Sequence, residues 1–77
     1  MGQEESRKPL RKILRRPAVQ SVTGLGRSQI YEGMAEGWFP KNIPLSGSDS
    51  GRAKGWLEDE ILAYQEARIA EREAGNV

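Results

Sequence analysis

Arg27, Ser28 and Gln29 stand together at the head of the segment RSQIYEGMAE, whose apolar residues recur at helical spacing. With Ile30, Met34 and part of Tyr31 turned inward, the 3.6-residue period leaves Arg27, Ser28, Gln29 and Glu32 outside. A guanidinium is a fork of donors that fits the two acceptors on guanine, and a carboxamide fits the donor and acceptor pair on adenine. Arg and Gln on the first turn of a helix are therefore placed as readers of base edges. Other chemistry finds no support. The chain has no histidine and no cysteine, which removes the usual general base and the commonest metal ligands. Glu58, Asp59 and Glu60 are consecutive, so on a helix they point in different directions and do not assemble a metal site. No nucleophile–base pair is legible, and neither enzymatic activity nor a cofactor is expected.

The elements that must hold these side chains follow from their neighbours. Pro17 suits the first position of a helix, where its missing N–H costs nothing, and Val19 and Val22 continue it at helical spacing. Gly24 follows the last periodic residue, Leu25 falls in the elbow, and Gly26 restarts the chain into the second helix, about residues 27–36. Gly37 and then Pro40 close that helix. Two short helices joined by a glycine turn are the pattern of a helix-turn-helix, although helical hairpins also serve as plain structure. Gly33, inside the second helix, costs roughly 1 kcal/mol relative to Ala, and it marks either close approach of another backbone or a weak point.

Upstream, Ile13 and Leu14 make Lys12 to Arg15 a short strand leading into the first helix. Downstream, Ile43 and Leu45 form one arm of a predicted hairpin and Arg52 to Trp56 the other, with turn-forming residues from Ser46 to Gly51 between them. Pro44 lacks an N–H and must lie on a sheet edge. Such a hairpin, about residues 43–56, is a wing, and Lys41, Arg52 and Lys54 on it are candidate contacts to phosphates or the minor groove. The final helix starts with three carboxylates at the positive end of its dipole. It turns Leu57, Ile61, Tyr64 and Arg68 to one face, predicted to pack on the wing and Trp56, with Phe39 sealing the helix pair. Leu62 and Ile69 fall on a second face, which is either a dimer seam or ordinary scattered apolar surface.

Seventy-seven residues allow one small domain with a thin core. The formal net charge is only +1, but it is unevenly spread: residues 1–56 carry ten Lys and Arg against five Asp and Glu, and residues 57–77 carry two against six. A basic front and acidic back are the footprint of a nucleic-acid binder, or simply the solvated surface of a small protein. Arg7, Lys8, Arg11, Lys12, Arg15 and Arg16 crowd ten positions, as an arm that tracks phosphates or as a solvated tail. No apolar run approaches the roughly 20 residues of a membrane span, and no secretory signal is legible, so a cytoplasmic protein is expected. The start MGQEES matches a myristoylation pattern, but Glu4 and Glu5 suit neither that modification nor a membrane surface. Gly24-Leu25-Gly26 is not a dinucleotide fingerprint, because the third glycine position is Gln29 and no suitable strand precedes it.

The run from Ile13 to Arg72 resembles the AlpA-type phage regulators, a branch of the MerR-like winged-helix and excisionase group. The resemblance rests on RRPAV entering the first helix, TGLGRSQIY at the turn, EGWFPK leading to the wing, and GRAKGWLEDEILAYQEARIAER closing the domain. It implies a mainly α fold with a small β-hairpin, a winged helix-turn-helix spanning residues 12–73; the flanking residues are expected from their own composition to be a flexible basic arm at 1–11 and a disordered tail at 74–77. It implies a double-stranded DNA-binding transcriptional regulator of prophage or mobile-element type, or alternatively an excisionase. Arg27, Ser28 and Gln29 would then enter the major groove, Tyr31 would back that surface, and Lys41, Arg52 and Lys54 would belong to the wing. Two positions depart from the family pattern. Glu32 and Gly33 follow the Ile-Tyr pair where a basic residue is common, and the wing loop is longer, with Asp49 at its tip. These acidic residues favour a competing reading, a protein-interaction module that kept the fold without DNA binding. No effector-binding portion is present in the resemblance, so no small-molecule sensing is implied. A dimer or cooperative array on DNA is left open.

Overall fold

The structure is a computed structural model that describes residues 8–48 and 51–75. In chain order it forms β1 (Ile13–Leu14), α1 (Arg16–Thr23), α2 (Arg27–Glu36), β2 (Ile43–Pro44), β3 (Lys54–Leu57) and α3 (Glu58–Gly75). This is the expected mainly helical fold with a small sheet. Helix α1 begins at Arg16, one residue before Pro17, so the proline lies in the first turn, where no intrahelical donor is lost. Gly24 ends α1 at φ 78° and Gly37 ends α2 at φ 92°, both in the left-handed region that side chains with a Cβ resist.

The hydrogen bonds that stop each helix also set the turns. Thr23 Oγ1 donates to Val19 O at 2.7 Å and accepts from Leu25 N–H at 3.2 Å, so one hydroxyl ties the end of α1 to the elbow. At the end of α2, the N–H groups of Gly37, Trp38 and Phe39 converge on the Gly33 carbonyl at 2.8, 3.0 and 3.1 Å. That tight reversal folds the following residues back against the helix they have just left. A Cβ on Gly33 would lie 2.7 Å from Phe39 Cβ and 2.9 Å from the Trp38 ring. The close approach foreseen at Gly33 is thus real, but it comes from two aromatic side chains rather than from a backbone.

The sheet is larger than the sequence led us to expect. The hairpin of β2 and β3 is present, with Ile43 opposite Gly55 and Pro44 opposite Lys54, and Leu45 N–H extends it to Ala53 O at 3.0 Å. In addition β1 pairs antiparallel with the other side of β3, matching Ile13 to Leu57 and Leu14 to Trp56. The order β1-β3-β2 puts the four-residue β3 in the centre and leaves Pro44 on an edge, as its missing donor requires. Residues 12–14 therefore do more than lead into α1, because they complete the sheet.

Val19, Ile30, Phe39, Trp56 and Ile61 form the core, one from each of α1, α2, the reversal after α2, β3 and α3. Leu14, Leu25, Met34 and Tyr64 cover its rim. No charged or polar residue is buried among the described residues. The amphipathic patterns specified this packing through burial of apolar area, which dominates the favourable side of folding. Trp56 is 1% exposed, and its indole Nε1–H donates to Pro40 O at 3.1 Å, which fixes the wing to the chain entering it. From Glu66 onward every described residue of α3 is exposed. This helix continues through Ala74 and Gly75, two residues into the stretch expected to be tail. Asn76 and Val77 lie outside the described residues, as do arm residues 1–7 and Asp49 at the wing tip.

Candidate nucleic-acid interface

The exposed head of α2 is built on a column of rings rising from the core. Trp56 is locked at the bottom by burial and by its bond to Pro40. Tyr31 meets it edge-on, with ring centroids 6.3 Å apart and planes at 69°, the arrangement that ring quadrupoles favour. Tyr31 remains 38% exposed, and the Arg27 guanidinium lies over its outer face, 5.8 Å from the centroid. The i, i+4 spacing of Arg27 and Tyr31 on a helix makes this contact geometrically natural. The column thus fixes where the cation stands and leaves its N–H donors turned to solvent.

Gln29 is held differently. Gly26 precedes α2 in an extended conformation, and its N–H donates to Gln29 Oε1 at 2.9 Å. This is half of a capping box: glycine has no side chain to return the bond, so only the glutamine-to-backbone half exists. Gln29 was foreseen only as a base reader, and its capping role was missed although the G-x-x-Q spacing before an apolar pattern carried the signal. Ser28 is exposed between the two. Arg27, Ser28, Gln29 and Tyr31 therefore sit together on the first turns of α2.

The wing cations are less tightly organised. Lys54 is the first residue of β3, opposite Pro44, Lys41 precedes β2, and Arg52 lies in the connection between β2 and β3. All three are exposed. Because Trp56 belongs to β3 and touches Tyr31, the strand carrying Lys54 is joined to the outer face of α2 through that ring pair.

The basic arm divides. Arg11 Nε and Nη2 donate to the two carboxylate oxygens of Asp59 at 2.8 and 3.1 Å, a forked pair, and Lys12 Nζ lies 3.9 Å from Glu58. The Lys12 carbonyl also accepts from Glu58 N–H at 2.8 Å. The hydrogen bond to Asp59 pushes the Arg11 pKa up, and the same bond holds the Asp59 carboxyl below its ordinary value. These two cations thus face the acidic start of α3, an intramolecular pairing that no local sequence feature announced. Arg15 precedes α1 and is exposed, whereas Arg16 is half-buried and donates from Nε to Gln20 Oε1 at 3.1 Å.

A second surface feature lies between α1 and α3. Val22, Leu62 and Ile69 line an open groove between α1 and α3, together with Thr23, Tyr64, Gln65, Glu66 and Arg68. Gln65 Nε2 donates to Val22 O at 2.7 Å across its floor and joins the two helices.

With this geometry in view, the comparison with known proteins is informative. The model of the prophage CP4-57 regulatory protein (AlpA) family matches residues 12–69, which is most of the chain and all of its elements except the last turns of α3. This chain belongs to the AlpA family of phage regulatory proteins. The matched AlpA segment begins at Lys12, immediately before β1, and so includes the strand that completes the sheet. An uncharacterized protein of Enterobacteria phage P4, ORF88, is 39% identical over 64 residues, covering 83% of this chain and 68% of the phage protein. No solved structure matches the chain significantly. The AlpA assignment accords with a mainly helical winged helix-turn-helix. No described helix is long and apolar enough to cross a membrane.

Proposed function

We propose that this chain is a sequence-specific transcriptional regulator that binds double-stranded DNA, of prophage or mobile-element type, acting in the bacterial cytoplasm. Helix α2 enters the major groove with Arg27, Ser28 and Gln29 toward base edges and Tyr31 behind them. The hairpin, about residues 43–56, rests on the backbone or in the minor groove with Lys41, Arg52 and Lys54. Arg15 and Arg16, at the entry to α1, contribute to the phosphate-facing charge.

The observation that carries this reading is the ring column under Arg27. A guanidinium held over Tyr31, itself braced by buried Trp56, keeps its donors exposed at the end of the helix that a helix-turn-helix presents to DNA. A merely solvated arginine requires no such support. The chemistry called for is recognition alone: no catalytic step, cofactor or small-molecule effector is part of the proposal. Copies that associate on DNA, as a dimer or a cooperative array, would do so through the Val22, Leu62 and Ile69 groove.

Selection of bound sequences from a random duplex pool tests the proposal. Enrichment of a defined site supports it, and its symmetry reports whether two copies bind. A pool that gains no preference removes it. An excisionase shares the same contacts, and the two roles separate by occupancy: a regulator protects a promoter, whereas an excisionase bends DNA beside an integrase site. The competing protein-interaction reading draws on exposed Glu32, next to the readers, and on the apolar groove.

A further inference from the structure

We infer that Gln29 reads its base as a donor only, and that it therefore selects guanine rather than adenine. This inference rests on the proposed placement of α2 in the major groove. A backbone N–H can be accepted only by the amide oxygen, so the bond from Gly26 fixes which end of the Gln29 carboxamide faces inward. Oε1 is turned back to Gly26, and Nε2 with its two hydrogens is presented outward from an exposed side chain.

The usual glutamine–adenine pair needs both amide atoms on one outward edge, with the oxygen accepting from N6 and the nitrogen donating to N7. With the oxygen held by Gly26, pairing both amide atoms with adenine would require the oxygen's second lone pair to be shared with the cap, a poorer geometry than the usual pair. Guanine presents two acceptors, N7 and O6, and no major-groove donor, so an outward amine is complementary to it. The cap that starts α2 thus also sets the polarity of one of its readers. Arg27 is likewise a donor-only group, since a guanidinium has no acceptor. The head of α2 consequently presents donors at both positions, and a guanine-containing core follows.

The test compares selections from a random duplex pool with the full-length wild type, Gln29→Ala and Gln29→Glu. Glutamate can still accept from Gly26 N–H but presents an acceptor outward. The wild type should enrich guanine at one position, Gln29→Ala should lose that preference by about tenfold, and Gln29→Glu should move the same position toward cytosine, whose N4 is a donor. A second measurement needs only the wild type and so stands if a variant fails to fold. The wild-type site should hold two guanines, one for Arg27 and one for Gln29, and replacing each in turn by 7-deazaguanine, which lacks the N7 acceptor, should weaken binding several-fold. Adenine, cytosine or thymine at the position that Gln29→Ala relaxes overturns the inference, as does an unchanged site in both variants or indifference to the analogue. A wild-type pool without any enriched sequence instead overturns the DNA-binding proposal, and this inference with it.

Discussion

The guanidinium of Arg27 lies 5.8 Å from the centre of the Tyr31 ring, and that ring meets buried Trp56 edge-on at 6.3 Å. The relationship links Trp56, the most buried aromatic among the described residues, to an exposed arginine at the head of α2. Removing the cation and removing the ring beneath it therefore have different consequences. Arg27→Ala should cost about 1–3 kcal/mol on the preferred site and relax specificity at one base pair, with little effect on folding. Tyr31→Leu should keep the arginine but release it, weakening specific binding by about 0.5–1 kcal/mol. Titrations of duplexes carrying single base changes measure both, and an Arg27→Ala chain with undiminished preference would show that α2 is not the reading helix.

Salt dependence tests the wing and the division of the basic arm. Four exposed cations, Arg15, Lys41, Arg52 and Lys54, each neutralising one phosphate give a log–log slope of about −3.6. Lys54→Ala should reduce the steepness by about 1 and leave the preferred sequence unchanged. Arg11→Ala should leave the slope nearly as it was, because Arg11 already faces Asp59 at 2.8 Å. A steep loss on replacing Arg11 would mean that the pair opens on DNA.

Gly33→Ala sets two known effects against each other. Alanine gains roughly 1 kcal/mol in helix propensity. Its methyl group, however, would sit 2.7 Å from Phe39 Cβ, an atom fixed by its backbone, and overpacking of this kind costs about 1–3 kcal/mol. The Trp38 ring is half-exposed and can swing aside, but Phe39 is buried and cannot. Urea unfolding should show a lower midpoint with an unchanged slope, and a raised midpoint would mean that Phe39 repacks without cost.

The Arg11–Asp59 pair gives a pH signature. Asp59 has a depressed pKa in the folded chain, caused first by the Arg11 hydrogen bond. Its contribution is therefore fully present above the ordinary carboxyl value of about 4 and is lost as pH falls through the lower folded value. The raised Arg11 pKa acts only at extreme alkalinity and leaves the acid limb to Asp59. Thermal melts should show that Asp59→Asn removes part of the acid destabilisation of the wild type. Both partners are solvent-exposed, so the effect is small and shrinks in high salt. Identical acid limbs in the two chains would assign that destabilisation to other carboxylates.

The groove between α1 and α3 predicts an oligomer-sensitive variant. Leu62→Asp, at an exposed apolar position, should abolish any concentration-dependent rise in mass and any cooperativity on DNA, without lowering stability greatly. Analytical ultracentrifugation alone and with a duplex site provides the measurement. A single-chain mass for the wild type under both conditions would leave the groove as plain surface.

The sequence by itself determined what local physics controls. Pro17, Gly24, Gly26 and Gly37 mark where helices start and stop, and the i, i+4 pair Ile30 and Met34 fixes which face of α2 turns outward. Pro44 announced an edge strand, and Phe39, Trp56 and Ile61 announced a core, because burial of an apolar stripe is encoded in its own periodicity. Tertiary structure alone decided the partners. Ile13 and Leu14 are too short a strand to name their mate, and only the folded chain sets them against Trp56 and Leu57, over forty residues away. The same docking carries Arg11 to Asp59, since an ion pair between distant residues leaves no local trace. The Tyr31–Trp56 contact is of this kind too, and it turns exposed Arg27 into a positioned donor. Gln29 lies between the two cases: its cap to Gly26 is a four-residue pattern written in the sequence, but that pattern gained a bearing on the proposed recognition only once α2 had an outward face.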